Sequence, residues 1–299
     1  MRYVVQNSRR LFCVGIAALV VCLLPSVSAQ TLGPDFKADT QSADALVREV
    51  IQNEIEAQLH DTSLWCYREH NQEDGKPSKT LEVCQSKDGE LERLMAQNGT
   101  ELNAAQRQAD DERLQKLISH PEQLRAKQRK QREDAEQERN MLRIFPEAFH
   151  FQCERESGSL VTLRFWPNPA FRPYTRASLV FHHMEGTLVL DTKEKRLVEI
   201  NGRLTSEVRF LGGLLGHLDK DGTFLVKQQE VGGGHWDLSY MSVHMDGKAL
   251  FFKTIAVQEE KRLVDYKPLP LGATLDQTAD FLIRDFDIHT ASSASSSPK

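Results

Sequence analysis

Apolar and polar positions follow three rhythms along this chain, and each rhythm predicts a different element. Leu11–Leu24 is apolar throughout apart from Gly15. Asp44–Leu59 places Leu46, Val47, Val50, Ile51, Ile55 and Leu59 at spacings of three and four, which predicts an amphipathic helix. Ser63–His70, Lys79–Ser86 and Glu90–Gln97 read as a three-stranded meander that turns at Asp74-Gly75 and at Lys87-Asp88-Gly89. Leu102–Ile118 and Pro121–Phe145 return to the helical period, and Ser119 with Glu122 reads as a capping box opening the second helix. From Phe149 to Pro268 the period drops to two, giving a meander of roughly eight short strands. Val161, Leu163 and Phe165 point one way, Arg196, Val198 and Ile200 oppose Leu197, Glu199 and Asn201, and Trp236, Leu238 and Tyr240 share a face. Trp166–Pro173 carries three prolines and reads as a rigid crossover. A last helix is expected over Thr274–Phe286, with Gln277 three residues after Thr274, and the Ser-rich Thr290–Lys299 is expected to be a disordered tail.

The first rhythm bears on location. Arg2, Arg9 and Arg10 precede the apolar run, Pro25 ends it, and Val27-Ser28-Ala29 supplies small residues before an expected cut between Ala29 and Gln30. Residues 1–29 therefore read as a signal peptide, with a run of 14 residues against the roughly 20 that span a bilayer. Ser8-Arg9-Arg10-Leu11-Phe12 also resembles a twin-arginine export motif, although the strongly apolar run fits export of the unfolded chain better. Phe12 and Val21 precede Cys13 and Cys22, so lipid attachment is not expected there. Cleavage of 29 from 299 residues leaves a periplasmic, soluble protein of 270. The three basic residues depart with the signal, and 35 Lys+Arg then face 43 Asp+Glu, a net charge of −8. That balance offers no electrostatic reason to hold nucleic acid.

Cys66, Cys84 and Cys153 remain after cleavage. Gly75 lies midway between Cys66 and Cys84, so a hairpin turning there sets the two thiols opposite one another and predicts a disulfide, with Cys153 left free. The alternative is a pair of buried thiols.

Candidate chemistry is sparse. There is no HExxH, CxxC or GxSxG, and no serine or cysteine stands beside a recognisable base. His182 and His183 are expected on opposite faces of a strand, and Met241 and Met245 alternate with His244, so no metal is expected. Asp219-Lys220-Asp221-Gly222 lacks the further oxygens of a calcium loop and reads as a hairpin turn. Gly232-Gly233-Gly234 reads as a hairpin loop, and Gly212–Gly216 as a flexible apolar flap or a plain bulge. Lys127–Arg143 is almost wholly charged or amide, which reads as a solvated helix face or a partner-docking surface. Apolar chemistry remains. Trp166, Phe181, Phe210, Leu214, Leu215, Phe224, Trp236 and Phe252 are candidates for a greasy pocket between sheet and helices, unless they simply fill a core.

Glu185-Gly186-Thr187-Leu188-Val189-Leu190-Asp191, followed by Thr192–Lys195 and Arg196-Leu197-Val198-Glu199-Ile200, resembles the G-x-hydrophobic-x-hydrophobic-D hairpin of the LolA/LolB/RseB-like superfamily. Element order is similar too, with Trp65 and Asp88-Gly89 in the first meander and Asp265-Tyr266-Lys267-Pro268 closing the sheet. The similarity spans Asp44–Leu271, and Leu102–Phe145 then looks like an insertion. The resemblance implies outer-membrane lipoprotein-sorting-like envelope proteins that carry acyl chains under a curved, unclosed sheet, a few of them regulating envelope stress.

The fold expected is α+β, a strongly curved antiparallel sheet (an open half-barrel) with N- and C-terminal helices and an inserted helical hairpin over 102–145. Residues 30–289 are expected to form one such domain. The expected function is non-catalytic and without a cofactor, sheltering a lipid, an acyl chain or a lipoprotein anchor. An envelope stress-sensing or assembly factor docking through the 102–145 helices is the alternative, and a hydrolase assembled from distant residues the third possibility.

Overall fold

A computed structural model describes residues 37–210, 216–249 and 253–283. The expected export signal, the centre of the Gly212–Gly216 flap, Phe252 and the serine tail lie outside them. The chain is α+β. Helices α1 (Lys37–His60), α2 (Ala104–Ser119) and α3 (Pro121–Ala148), a 3-10 helix (Ala177–His183) and α4 (275–283) accompany thirteen strands in a large, unclosed antiparallel sheet. By its contacts the chain divides into two units.

The first unit contains α1, residues 135–229 and residues 236–259. Its strands are β5 (Phe149–Ser157), β6 (Leu160–Pro167), β7 (Met184–Asp191), β8 (Arg196–Leu204), β9 (Val208–Phe210), β10 (Gly216–Leu218), β11 (Thr223–Gly232) and β12 (His235–Ala249). The main path runs β12-β11-β8-β7-β6-β5. The pleat puts Val161, Leu163 and Phe165 opposite Leu190, Leu188 and Gly186 on one buried face. The opposite face is laced by exposed charge, with Arg203 and Arg164 on Glu185 and Lys227 on Glu199. Alternation breaks between Cys153 and Arg155 on β5 and again in the β7–β8 hairpin. Leu190 pairs Leu197 while Val189 pairs Glu199, so Val198 is the extra residue of a bulge and both Leu197 and Ile200 turn inward, against the strict alternation expected.

Helix α1 buries Ala43, Val47, Val50, Ile51 and Ile55, and Glu54 sits within that stripe only 2% exposed. Leu59, expected on the stripe, is exposed. Arg196 Nε and Nη2 donate to the two Glu54 oxygens at 2.9 and 3.0 Å, and the Leu197 N–H donates at 2.8 Å. Asn53 Nδ2 donates to the Lys195 carbonyl at 2.8 Å, and Lys195 Nζ to Glu49 Oε2 at 3.0 Å. Glu49, Asn53 and Glu54 of α1 therefore all meet the β7–β8 turn and the start of β8. Asp44, at the other end of the helix, takes the N–H of Phe151 on edge strand β5; burial raises its carboxyl pKa, against the lowering by His150, Arg48 and that N–H. The interior is completed by rings. Phe145 of α3 contacts Phe149, Phe151, Phe165 and Phe181 at centroid distances of 4.7 to 6.0 Å.

The second unit contains residues 61–134, 230–235 and the chain from Glu260. Strands β1 (Leu64–Glu73), β2 (Lys79–Ser86), β3 (Gly89–Gln97) and the short β4 (Thr100–Glu101) follow in order beside the distal part of β13 (Lys253–Leu269). Cys66 and Cys84 face each other in register and are bonded, with Cα atoms 4.1 Å apart. The disulfide sits at the centre of a core with Leu91, Leu114, Leu124, Leu269, Leu275 and Leu282.

Besides Leu114 and Leu124 in that core, charged and amide side chains fasten α2 and the start of α3 to β3. Asp110 accepts from the Leu94 N–H at 3.1 Å and from Arg113, while Arg93 meets Asp111 at 2.6 Å. Lys127 bonds Glu92, Gln131 bonds Glu90 and Arg125 bonds Asp88. Lys127 and Gln131 thus face the sheet, whereas Arg129, Lys130, Arg132 and Glu133 are exposed. One cap was not anticipated and one assignment changes. Asn103 and Gln106 form the capping box of α2, and the Ser119 hydroxyl donates to the Gln115 and Lys116 carbonyls at the end of α2 instead of opening α3. Thr274 and Gln277 do cap α4. His182 and His183 close the 3-10 helix and do not lie on a strand.

Glu54→Leu strands the Arg196 guanidinium and the Leu197 N–H inside the first unit and is expected to lower stability by about 3–5 kcal/mol. Glu54→Leu combined with Arg196→Met is expected to recover most of that loss in urea-unfolding midpoints. Equal losses in the single and double variants would show that the pair does not couple.

Candidate functional site

The eight apolar candidates fall in several places. Trp166 is on the outward face of β6, next to His150 at 5.9 Å. Phe181 lies inside the ring cluster, 5.2 Å from Phe149. Phe210 ends β9, and Trp236 lies under the Arg196 guanidinium at 5.7 Å. Leu214, Leu215 and Phe252 lie outside the described residues. Phe224 belongs to the inward face of β11, and around it the backbone does something none of the other candidates experiences.

Phe151, Phe165, Gly186, Gly202 and Phe224 stand opposite one another in an inward row across β5, β6, β7, β8 and β11. The two glycines have different reasons. A Cβ on Gly186 would lie 1.9 Å from the Asn201 carbonyl oxygen, so this position tolerates no side chain while the strands remain paired. A Cβ on Gly202 would run first into the Phe224 ring, at 2.4 Å from Cζ. The ring therefore lies directly over bare backbone, in space a side chain at 202 would take. Phe224 itself is 9% exposed. Next along the sheet, Gly222 has Met245 Sδ and Leu204 Cδ1 within 3.4 Å of its Cβ position, and Met184 pairs with Leu204. Over these bare backbone positions the Phe224 ring, Met245 and Leu204 pack directly, with Met184 beside Leu204. Methionine is unbranched and polarisable and adapts to irregular apolar shapes.

The turn that pairs the glycines is itself braced. Asp191 accepts from the Lys193 and Glu194 N–H groups and from the Ser159 hydroxyl at 2.8 to 3.0 Å. Burial pushes its carboxyl up, but the Glu194 N–H, the Ser159 hydroxyl and the Lys193 N–H outweigh this and hold its pKa below the ordinary value. Sequence reasoning missed Gly202, Gly222, Met184, Leu204 and Met245 as neighbours. Gly186 and Gly202 flank the recognised hairpin symmetrically, but only once the bulge at Val198 is counted.

One polar cluster in the second unit brings together a serine, a histidine and an aspartate. Ser63 Oγ donates to Asp61 Oδ1 at 2.6 Å and accepts from Trp65 Nε1 at 2.8 Å. His235 stacks on Trp65 at 5.0 Å and turns Nδ1 to both Asp61 and Ser63 at 3.4 Å. In a nucleophilic triad the serine and the carboxylate engage opposite imidazole nitrogens. Here both meet Nδ1 and the serine proton is committed to Asp61, so the cluster closes the chain between α1 and β1. Among the described residues, no helix is long and apolar enough to cross a membrane and no three His, Cys, Asp or Glu side chains group as a metal site. No known protein family, curated protein or solved structure matches the chain.

Gly202→Ala drives a methyl into the Phe224 ring and is expected to lower stability by about 1–3 kcal/mol. Gly202→Ala with Phe224→Leu is expected to lose less than the sum of the two single changes in thermal or urea melts. Strict additivity would mean that the ring does not rest on Gly202. Asp191 titrates at a lower pH in the folded chain than in the unfolded one, so its contribution is present at neutral pH and lost as pH falls through the folded value. The stability difference between the wild type and Asp191→Asn is therefore expected to shrink as pH drops from about 5 to about 2; a constant difference would remove the carboxylate from this role.

Proposed function

We propose that this chain is an exported, non-catalytic carrier that shelters an acyl chain of a lipid or lipoprotein against the inward face of its sheet. The observation that carries the reading is the pair of bare positions, Gly186 and Gly202, with the Phe224 ring lying over Gly202 on the inward face. A guest over the two glycines takes the place of the Phe224 ring, which rotates about two side-chain bonds. Burial of each methylene contributes about 0.8 kcal/mol, so a segment of about five methylenes outweighs a side-chain rearrangement of 1–3 kcal/mol.

Export is supported by the residues before Ala29-Gln30 and by the Cys66–Cys84 bond, since disulfides persist in oxidising compartments. The same reading takes the sheet as a strongly curved half-barrel of the LolA/LolB/RseB-like kind, with 102–145 as an insertion. Docking through those helices is the competing role. Leu114 and Leu124 belong to the core around the disulfide, so deleting the helices would unfold the second unit. Charge reversal at the exposed Arg129, Lys130 and Arg132 tests docking instead.

The carrier reading is tested by delipidating the protein, adding a fluorescent fatty acid and recording native mass spectra and binding isotherms. One acyl chain per protein is expected, with Phe224→Ala binding several-fold tighter and Gly202→Val several-fold weaker, each variant checked for native near-UV circular dichroism. Phe224→Leu keeps the test alive where Phe224→Ala does not fold. Absence of binding in wild type and Phe224 variants alike overturns the carrier.

A further inference from the structure

Carboxylates make up 43 of 299 residues, yet none occurs in the 28 residues between Glu156 and Glu185. That stretch holds Arg164, Arg172 and Arg176, along with Trp166, Phe171 and Tyr174. Arg164 reaches Glu185 at 4.0 Å. Neither Arg172 nor Arg176 is ion-paired among the described residues; the Arg172 guanidinium lies 3.4 Å from the Pro169 and Phe171 carbonyls of its own loop. Tyr174 is 69% exposed, and its hydroxyl lies 3.4 Å from Glu147.

The loop that displays them is rigid. Asn168 donates from its backbone N–H to the Ala148 carbonyl at 2.8 Å and from Nδ2 to the Glu147 carbonyl at 3.0 Å. Its own side-chain and backbone oxygens accept from Ala170 and Phe171. Phe171 is buried against Tyr174 and Phe181, so the loop is nailed down by one ring while the next is held out to solvent. Such a display loses little conformational freedom on binding.

We propose that this loop seats the protein on an anionic lipid surface, Tyr174 entering the headgroup layer and Arg172 and Arg176 meeting lipid phosphates. An amphipathic ring at headgroup depth beside cations is the arrangement lipid interfaces select. A protein partner fits less well. A specific interface buries about 800 Å² per side around several anchors, whereas this loop offers one large exposed ring. The expected attachment is weak and reversible, because an arginine near an anionic surface contributes about a five-fold gain in partition and two contribute about twenty-five-fold. The inference concerns an exposed loop rather than the buried Phe224 ring and goes beyond the carrier reading.

The test is co-sedimentation of the full chain with vesicles of phosphatidylcholine alone or containing phosphatidylglycerol. Partition onto the anionic vesicles is expected to exceed that onto the neutral ones by about ten-fold or more, to fall with added salt, and to drop about five-fold for each of Arg172→Gln and Arg176→Gln. Tyr174→Ser is expected to weaken it on both vesicle types. Fatty-acid binding measured on the same variants should stay at the wild-type value, so a failed carrier and a failed membrane seat read out separately. Equal partition onto both vesicles, or anionic binding that survives both arginine changes with native circular dichroism, overturns the proposal. So does binding to a soluble acidic protein but not to phosphatidylglycerol vesicles.

Discussion

A single buried carboxylate organises the first unit. Glu54 accepts three hydrogen bonds, two from Arg196 and one from the Leu197 N–H, at the first residues of β8. An apolar side chain at this point would tolerate sliding of the helix by a turn. A carboxylate with three directed donors does not, since any shift leaves a charge buried without its partners. With α1 held in that register, Val47, Val50 and Ile51 are buried in the core and Asp44 reaches the backbone of β5. Arg196 then has its other face free for Trp236. The charge thus specifies position, while the neighbouring aliphatic side chains supply the favourable burial.

The hairpin that receives Glu54 also shapes the inward face. Asp191 ties the turn, the bulge at Val198 shifts the pairing by one residue, and that shift sets Gly186 opposite Gly202. Had the pairing continued without the bulge, Gly186 would face Asn201 and the pleat would present no pair of bare positions. Phe224 covers the space that results. The motif glycine and the motif aspartate therefore have independent physical reasons, close strand approach for one and turn closure for the other.

The second unit is built on a different economy of contacts. Its core is a hairpin cross-linked at Cys66–Cys84 and packed with leucines, and a smaller set of rings, Trp65, Tyr67, Tyr266 and His235, stacks within the same unit. Its helices are held to β3 by Asp110, Arg93, Lys127 and Gln131. Closing a loop across a sequence separation of 18 constrains the unfolded chain by about 3 kcal/mol in the entropic account, which offsets part of the small apolar area available to a unit of this size.

Local rules were legible without coordinates. The distance across a short turn is set by backbone geometry, so Gly75 located the Cys66–Cys84 pair, and period and capping chemistry located α1, the two middle helices and the Thr274–Gln277 cap. Partners far apart in the chain carry no such signature. Glu54 looked like one more polar residue of an amphipathic helix, because its acceptor role depends on an arginine 142 positions away. Lys127 and Gln131 looked like part of a solvated face until β3 carboxylates were brought beneath them. Strict alternation hid the bulge at Val198, and with it the meeting of Gly186, Gly202 and Phe224. Sequence fixes what neighbours along the backbone can reach; the pairing of distant charges and the register between strands are settled only when the packed chain leaves each buried group one place to go.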